Sequence, residues 1–273
     1  MFNDRARLDV SLDLLEENFS FLRTLAPRCS ILFMIKADAY GHGDLEICSF
    51  ANKNCGINEF GVASILEAIN LRKNLVNEKF EIYVFSDHGI GDEKTHELYS
   101  NYRIIPVISS LDDLRVFLNS GELKNIPLCL KFNTGMNRIG ISNKNINEVV
   151  SLLKKYNRKN IFHLMTHLAS SFRVCDKSSS TFKQVSIFNE IKNHLKNEGF
   201  EIELTSLANS GAIEQGVGFD ETHIRPGLMV YGPSSLDKEI RKNSKWEGSC
   251  ISSLETYVLD SFDVKKEAKV GYG

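Results

Sequence analysis

The feature that most constrains the fold of this chain is a repeated alternation of short apolar runs with longer amphipathic runs. Continuous apolar runs of this length are typical of strands that are covered on both faces. They predict eight strands, at residues 31–35, 60–62, 82–85, 104–107, 128–132, 161–165, 202–204 and, more weakly, 223–225.

Amphipathic helices are predicted between these runs. Leu12, Leu15, Phe19 and Leu22 recur at intervals of three and four residues, which places them on one helical face. The stretches 149–153 and 182–195 have similar patterns. Such an alternation predicts a doubly wound sheet or an eight-stranded parallel (TIM-like) α/β barrel. The barrel is favoured because the repeating units show no point of reversal.

The pattern changes after Tyr231. A polar, turn-rich stretch follows and is interpreted as a linker, and residues 249–258 and 270–272 have β character with no helix after them. We therefore expect a barrel domain over residues 10–235. Residues 236–273 are expected to be a linker and the truncated start of a β-rich C-terminal domain, with residues 1–9 as candidates to pack with it.

Composition and charge exclude several classes of protein. The formal net charge of −2 gives no support to a general nucleic-acid or anionic-membrane binder. No apolar run approaches the roughly 18 residues of a membrane span, and residues 1–10 lack the apolar core of a signal peptide. The six cysteines are scattered without a CxxC pair, which favours free thiols over a disulfide framework or a metal site. The sequence predicts a cytoplasmic protein with no metal, nucleic-acid or membrane partner.

The strongest chemical signal is a lysine, Lys36, directly after the first predicted barrel strand. Residues 36–43 read Lys-Ala-Asp-Ala-Tyr-Gly-His-Gly. Active-site groups of parallel barrels collect at the carboxyl ends of the strands. Partial desolvation there favours an uncharged amine, which can attack an aldehyde. From the residues alone, a lysine that ends a strand and points into water is an equal alternative.

Four further motifs follow in order, each near the end of a predicted strand. They are the segments 131–140, 165–170, 207–212 and 224–232. With the Lys36 motif they resemble the signatures of the alanine racemases, pyridoxal 5'-phosphate (PLP) enzymes of fold type III. The resemblance covers nearly the whole chain, and it implies an eight-stranded barrel with PLP bound covalently to Lys36 at its mouth.

The resemblance also implies roles for other residues around PLP. Ser210 and the backbone at Gly227 would hold the phosphate, because these loops follow strands seven and eight. Ser210 could also be a helix N-cap, and His167 could be an ordinary core histidine. The implied cofactor-binding residues are Lys36, Tyr40, His167, Asn209, Ser210, Arg225, Gly227 and Leu228.

Two arginines have specific implied roles. In the resembling family the arginine at the Arg225 position faces the pyridine nitrogen of PLP. Arginine only donates, so that nitrogen would stay unprotonated and side reactions such as transamination would be suppressed. A buried salt bridge is the alternative for Arg225. Arg138 is implied in binding the PLP phenolic oxygen and the substrate carboxylate, with Lys131, carbamylated in many family members, as its support. Asn133 replaces the more usual aspartate, which puts a local ion pair in doubt.

Racemisation requires proton-transfer groups on both faces of the α-carbon. Lys36 would serve one face. The resemblance assigns the other to Tyr272, which would act in the partner subunit of a homodimer and would need nearby cations to ionise. A strand tyrosine without a catalytic role is the alternative. The family continues well beyond the Tyr272 position, so we expect a truncated chain to be a poor catalyst.

The leading interpretation is a PLP-dependent racemase, an isomerase that interconverts L- and D-alanine by two-base proton transfer and supplies D-alanine for peptidoglycan. A broader-specificity amino-acid racemase is a close variant. The alternative of another class is a single-domain PLP-binding homeostasis protein without racemase activity.

Overall fold

The computed structural model describes residues 5–272, and eight of its strands form a closed parallel barrel. The barrel order is β2-β3-β4-β5-β6-β8-β9-β10, with β10 pairing back onto β2, while β7 extends β6 at its end. In chain order the strands are β1 (Ala6–Val10), β2 (Ser30–Met34), β3 (Glu59–Ser64), β4 (Glu81–Asp87), β5 (Ile104–Ile108), β6 (Cys129–Asn133), β7 (Ile141–Ser142), β8 (Asn160–Met165), β9 (Glu201–Ser206), β10 (His223–Ile224) and β11 (Ser252–Thr256). The predicted barrel and all eight of its predicted strands are confirmed.

Helices connect the strands and cover the outside of the barrel. The first helix begins at Leu12, where the Ser11 side chain accepts a hydrogen bond from Leu14 N–H, and it buries Leu15, Phe19 and Leu22 as the spacing predicts. The helices are α1 (Leu12–Leu25), α2 (Asp44–Lys53), α3 (Ile65–Asn74), α4 (His96–Tyr102), α5 (Leu111–Asn119), α6 (Ile146–Lys155), α7 (Ser180–Asn197), α8 (Ser210–Glu214) and α9 (Lys238–Arg241).

The core has two parts. The larger cluster lies between the strands and the helices, where Phe19 of α1 packs edge-on against Phe33 of β2 at a centroid distance of 4.9 Å. The smaller one contains strand residues only and therefore fills the barrel interior. It consists of Leu32, Tyr83, Ile105, Val107, Cys129 and Met165.

The polar stretch after the barrel is docked on it. Asn18 of α1 donates to the carbonyls of Val230 and Ser249 at 2.9 and 2.8 Å, and its side-chain oxygen accepts from Ser249 N–H at 2.9 Å. Trp246 packs against Phe21. These contacts tie residues 246–251 to the same helix that packs on β2.

The ends of the described chain meet in a separate two-stranded sheet. β1 and β11 pair antiparallel, with Ala6 opposite Thr256 and Val10 opposite Ser252. Residues 1–4 of the segment 1–9, and Gly273, lie outside the described residues. The β character expected for residues 270–272 is wrong as a strand assignment: no backbone partner lies beside them in the described chain, and Val270 and Tyr272 are exposed.

None of the helices among residues 5–272 combines the length and the apolar character needed to cross a membrane.

Candidate active site

A cavity of about 340 Å³ opens at the carboxyl ends of the barrel strands. It is lined by the residues that the sequence assigned to cofactor, substrate or support, except Tyr272. These are Lys36, Tyr40, Lys131, Arg138, His167, Asn209, Ser210, Arg225, Gly227 and Leu228. Residues far apart in the chain therefore meet at one end of the barrel, as the strand-end positions predict.

Lys36 begins an unusual turn. Ala37, Asp38, Ala39 and Tyr40 have left-handed backbone angles, with φ of 52, 56, 51 and 56°. This conformation costs about 1–2 kcal/mol for each residue with a side chain. Asp38 stabilises the turn, since its side chain accepts from Asp44 N–H at 2.8 Å at the start of α2. The turn brings the Tyr40 ring within 5.9 Å of Lys36 Nζ.

Ser210 and Gly227 form the wall of the cavity next to Tyr40. Ser210 Oγ accepts from the amides of Gly227 and Met229 at 3.1 and 3.3 Å. A Cβ on Gly227 would collide with Tyr40 Oη and lie 3.0 Å from Tyr40 Cζ, so only glycine allows this approach. The N-cap of α8 is Asn209, whose side chain accepts from Ala212 N–H at 3.2 Å. The expectation that Ser210 might cap this helix is thus wrong, because Ser210 is its first residue.

Arg225 lines the cavity and is only 4% exposed. It donates to Ser206 Oγ and to the carbonyl of Thr166. It pairs with no carboxylate among residues 5–272, so the buried salt bridge considered as an alternative is absent there. Burial lowers the pKa of Arg225 to about 10, and the side chain stays a cation at neutral pH.

A buried histidine pair extends from Arg225 into the barrel. His163 Nε2 lies 2.8 Å from Ser206 Oγ, and the His163 and His223 rings are 5.3 Å apart. His223 Nε2 in turn contacts Glu59 Oε2 at 2.8 Å. Burial, His223 and Arg225 lower the pKa of His163 well below its usual value, so it is neutral. Sequence reasoning missed His163 and Ser206; His163 lies on a predicted strand, but Ser206 lies beyond the predicted end of its strand, which the structure extends to Ser206.

The polar lining of the cavity is strongly cationic. Lys36, Lys131, Arg138 and Arg225 all line it, and no Asp or Glu does so within the described chain. Burial first, then Arg225, Arg138 and Lys36, lower the pKa of the 6%-exposed Lys131 to about 8. His167 is affected in the same way, by burial and then by the four cations, and its pKa falls to about 3. A site of this kind favours anionic ligands.

The loop that carries Arg138 is held by side-chain amides. Asn133 Oδ1 accepts from Gly135 N–H and Asn137 N–H, both at 3.0 Å, so asparagine does the structural work here without an ion pair. Gln184 of α7 joins this loop to the next one: it donates to Thr134 Oγ1 at 3.2 Å and to the His167 carbonyl at 3.1 Å. Gln184 also escaped sequence reasoning, because nothing local marks a glutamine on a helix as a loop support.

Tyr272 is separate from this cavity. Its side chain is fully exposed and does not line the site. The site within one chain therefore contains Lys36 but not the second proton-transfer group expected from the sequence.

Comparison with known proteins agrees with the fold and identifies the family. The family model for "Alanine racemase, N-terminal domain" matches residues 10–235. The chain is 29% identical to the alanine racemase of Rickettsia canadensis over 93% of this chain and 68% of that protein. It is 30% identical to putative alanine racemase 2 of Schizosaccharomyces pombe over 98% of this chain and 71% of that protein.

A solved structure extends the comparison to three dimensions. The alanine racemase of Bartonella henselae, described with covalently bound pyridoxal phosphate, superposes with a TM-score of 0.80 at 25% identity. The match covers 96% of this chain and 72% of that one.

Proposed function

Because the chain belongs to the family of the alanine racemase N-terminal domain, we propose that it binds PLP on Lys36 and acts as an alanine racemase. The observation that carries the proposal is the cavity at the barrel mouth, in which one lysine amine, three further cations and a Ser210–Gly227 wall converge. The proposal extends to interconversion of L- and D-alanine in the cytoplasm, with D-alanine supplied for peptidoglycan.

The residues present fit a phosphate-bearing aldehyde. The cationic lining, with no described carboxylate, suits a phosphate and a substrate carboxylate together. The close approach of Gly227 to Tyr40 leaves room only for backbone, and Tyr40 Oη and Ser210 Oγ supply hydroxyls beside it. We assign the phosphate to Tyr40, Asn209, Ser210, Gly227 and Leu228.

When bound, PLP supplies an aldehyde that takes up the substrate amine and a ring that makes the substrate α-proton acidic. Lys36 holds the cofactor and then accepts or returns a proton at the substrate α-carbon from one face. Arg225, a buried donor held by Ser206 and Thr166, would face the ring nitrogen and keep it unprotonated. Arg138 would orient the substrate carboxylate with Lys131 as its support, and His167, neutral because its pKa is lowered to about 3, would pack beside the ring.

The second face requires another group. We assign it to Tyr272, delivered by the partner subunit of a homodimer, since Tyr272 is exposed and remote from the cavity of its own chain. Arg138 is exposed at the rim and could lower the energy of a tyrosinate placed there. The competing function is a PLP-binding protein without racemase activity. The separation of Tyr272 from the cavity favours that function for a single chain, because a single chain then lacks the second proton-transfer group.

The direct test is to reduce the PLP-loaded protein with borohydride and map the modified lysine. The label should lie on Lys36 and be absent from Lys36→Arg, while Lys124→Arg, at an exposed position, should label normally. A label spread over several lysines, or none in a folded protein, contradicts the assignment.

Measuring exchange of the alanine α-proton distinguishes the two competing functions. Incubating the protein with each enantiomer of alanine in deuterated water should exchange the α-proton and invert the centre. In a protein in which Tyr272 reaches a second copy, Tyr272→Phe should slow exchange from one enantiomer far more than from the other. PLP binding with no exchange from either enantiomer would favour the binding protein.

A further inference from the structure

The left-handed turn that starts at Lys36 is held from outside by one carboxylate, that of Glu67. Glu67 Oε1 accepts from Ala37 N–H at 3.0 Å. Its other oxygen accepts from Ala63 N–H at 2.6 Å and from Ser64 N–H at 3.2 Å. Glu67 therefore links the turn after β2 to the junction between β3 and α3.

The link to Ser64 has an ordinary structural purpose. Ser64 is the N-cap of α3, its Oγ accepts from Glu67 N–H at 3.2 Å, and the two side chains form a reciprocal capping box. The contact with Ala37 is not part of that motif. It joins residues 30 positions apart and reaches the amide directly after Lys36.

This contact completes a pair of anchors around Lys36. On one side, Ile35 N–H donates to the carbonyl of Gly61 in β3 at 2.9 Å. On the other, Ala37 N–H donates to Glu67. Both anchors belong to the β3–α3 unit, so the chain is fixed to this one unit at the residue before Lys36 and at the residue after it. A conformation as costly as this turn persists only where the surroundings determine it.

We propose that Glu67 is a positioning residue for Lys36: by holding the Lys36–Ala37 peptide it aims the lysine amine into the cavity. The consequence for catalysis rests on the proposed function, but the hydrogen bond can be tested without it. A carboxylate is required because the amides donate from two sides: Ala37 N–H to one oxygen, and Ala63 N–H and Ser64 N–H to the other. A glutamine has one acceptor oxygen and can serve only one direction.

The first measurement is hydrogen exchange at the Ala37 amide in protein without PLP. Glu67→Ala should exchange this amide about tenfold faster or more, the usual effect of losing a hydrogen bond to a charged group. Ser64→Ala is the matched control, because it weakens the same helix cap and leaves the Glu67–Ala37 contact in place. Glu67→Gln keeps the capping-box signature and should fold normally. Because its side chain has one acceptor oxygen, it should restore protection either at the Ala37 amide or at the Ala63 and Ser64 amides, but not at both.

The second measurement is the apparent affinity for PLP and the rate at which borohydride fixes it on Lys36. Both should fall on the order of tenfold in Glu67→Ala and stay at the parent level in Ser64→Ala. Equal exchange at Ala37 in the two alanine variants, or full recovery by Glu67→Gln at both groups of amides, would overturn the proposal. If Ala37 exchanges faster in Glu67→Ala than in Ser64→Ala but the parent protein takes up no PLP, the proposed function is refuted. The role of Glu67 in the turn then still holds.

Discussion

At the scale of single residues, the site is defined by cations that have no carboxylate partner among residues 5–272. Arg225 is held by a hydroxyl and a carbonyl, neither of which neutralises it. Lys131 is nearly as deeply buried. Uncompensated buried charge is costly, so its presence in a cavity indicates that ligand anions complete the site.

Replacing Arg225 with Glu should change the chemistry more than the binding. A carboxylate at this position stabilises a protonated ring nitrogen, which makes the bound cofactor a stronger electron acceptor. Racemisation should fall and transamination should rise, as measured by chiral analysis and by keto-acid production. Arg225→Lys, which keeps a donor, is the control and should not increase transamination. An unchanged product ratio in Arg225→Glu would show that the arginine does not face that nitrogen.

Lys131 should make stability depend on pH in the alkaline range. Its folded pKa of about 8 lies below the usual value near 10.4, so between these values the unfolded chain holds a proton that the folded chain does not. Stability should therefore rise as the pH increases from about 8 to about 10.4, and below pH 8 the full cost of the buried charge is present.

Lys131→Met should remove that rise and increase the free energy of unfolding at pH 7 by on the order of 1–3 kcal/mol. Urea titrations at several pH values in carbon-dioxide-free buffer test this, with the exposed Lys124→Met as the control. A destabilised Lys131→Met, or an unchanged alkaline rise, would contradict it. Adding bicarbonate to the parent should stabilise it at pH 8 if the Lys131 amine forms a carbamate, and the mass of the protein reports that addition.

Sequence reasoning found the residues that lie in a motif, Lys131 among them, and missed the supporting residues that lie outside the motifs. Lys36, Arg138 and Arg225 each lie in a run specific enough to identify. His163, Ser206 and Gln184 act through contacts with residues 17 to 50 positions away, and no local pattern encodes such pairs. Gln184 is the clearest case, because a glutamine on an exposed helix face would have no such role.

At the scale of elements, the strands were predictable because apolar runs reflect burial on both faces. β5 is buried along all five residues, and its sequence shows this directly. The left-handed turn after β2 was not predictable, because three of its four left-handed residues are alanine or tyrosine, which rarely adopt that conformation. The prediction of β structure at residues 270–272 is wrong, because residues with β propensity form a strand only where another strand pairs with them, and none does so in the described chain.

The junction between β10 and the short 3₁₀ turn at Leu228–Tyr231 gives an element-scale prediction. Gly227→Ala should force Tyr40 away from this turn, costing about 1–3 kcal/mol of stability and weakening PLP binding at least tenfold. Gly121→Ala is the matched control, because a Cβ there meets nothing within 4 Å. Thermal unfolding and PLP titration test the pair, and equal behaviour of the two variants would show that the close approach is unimportant.

At the scale of the whole molecule, the barrel and the β1–β11 sheet differ in how well they are supported. The barrel strands pack on a large buried core, whereas Leu254 of the two-stranded sheet and all of residues 257–272 are exposed. Isolated two-stranded sheets are marginally stable.

Limited proteolysis of a polypeptide of residues 1–273 should therefore cut first after Thr256. The product should keep the barrel, because Asn18 and Trp246 fasten residues 246–251 to α1. Mass spectrometry of the products and PLP uptake by the trimmed protein provide the measurement. Asn18→Ala should add early cuts within residues 232–251 to those after Thr256. Early cleavage inside the barrel of the parent, or loss of PLP uptake on trimming, would contradict this order of stability.

The pairing of β1 with β11 has a consequence for the way the chain leaves the ribosome. The first strand is made before any barrel strand, but its partner emerges roughly 240 residues later, on the order of ten to fifty seconds at usual rates of synthesis. During that interval β1 is an open edge in a crowded environment. Its alternating charges, Arg7 and Asp9, make it a poor template for foreign strands, and Arg7 later contacts Glu255 of the correct partner at 3.2 Å. The charged residues of β1 that face its correct partner strand thus also protect the nascent chain from wrong strand pairing before β11 is synthesised.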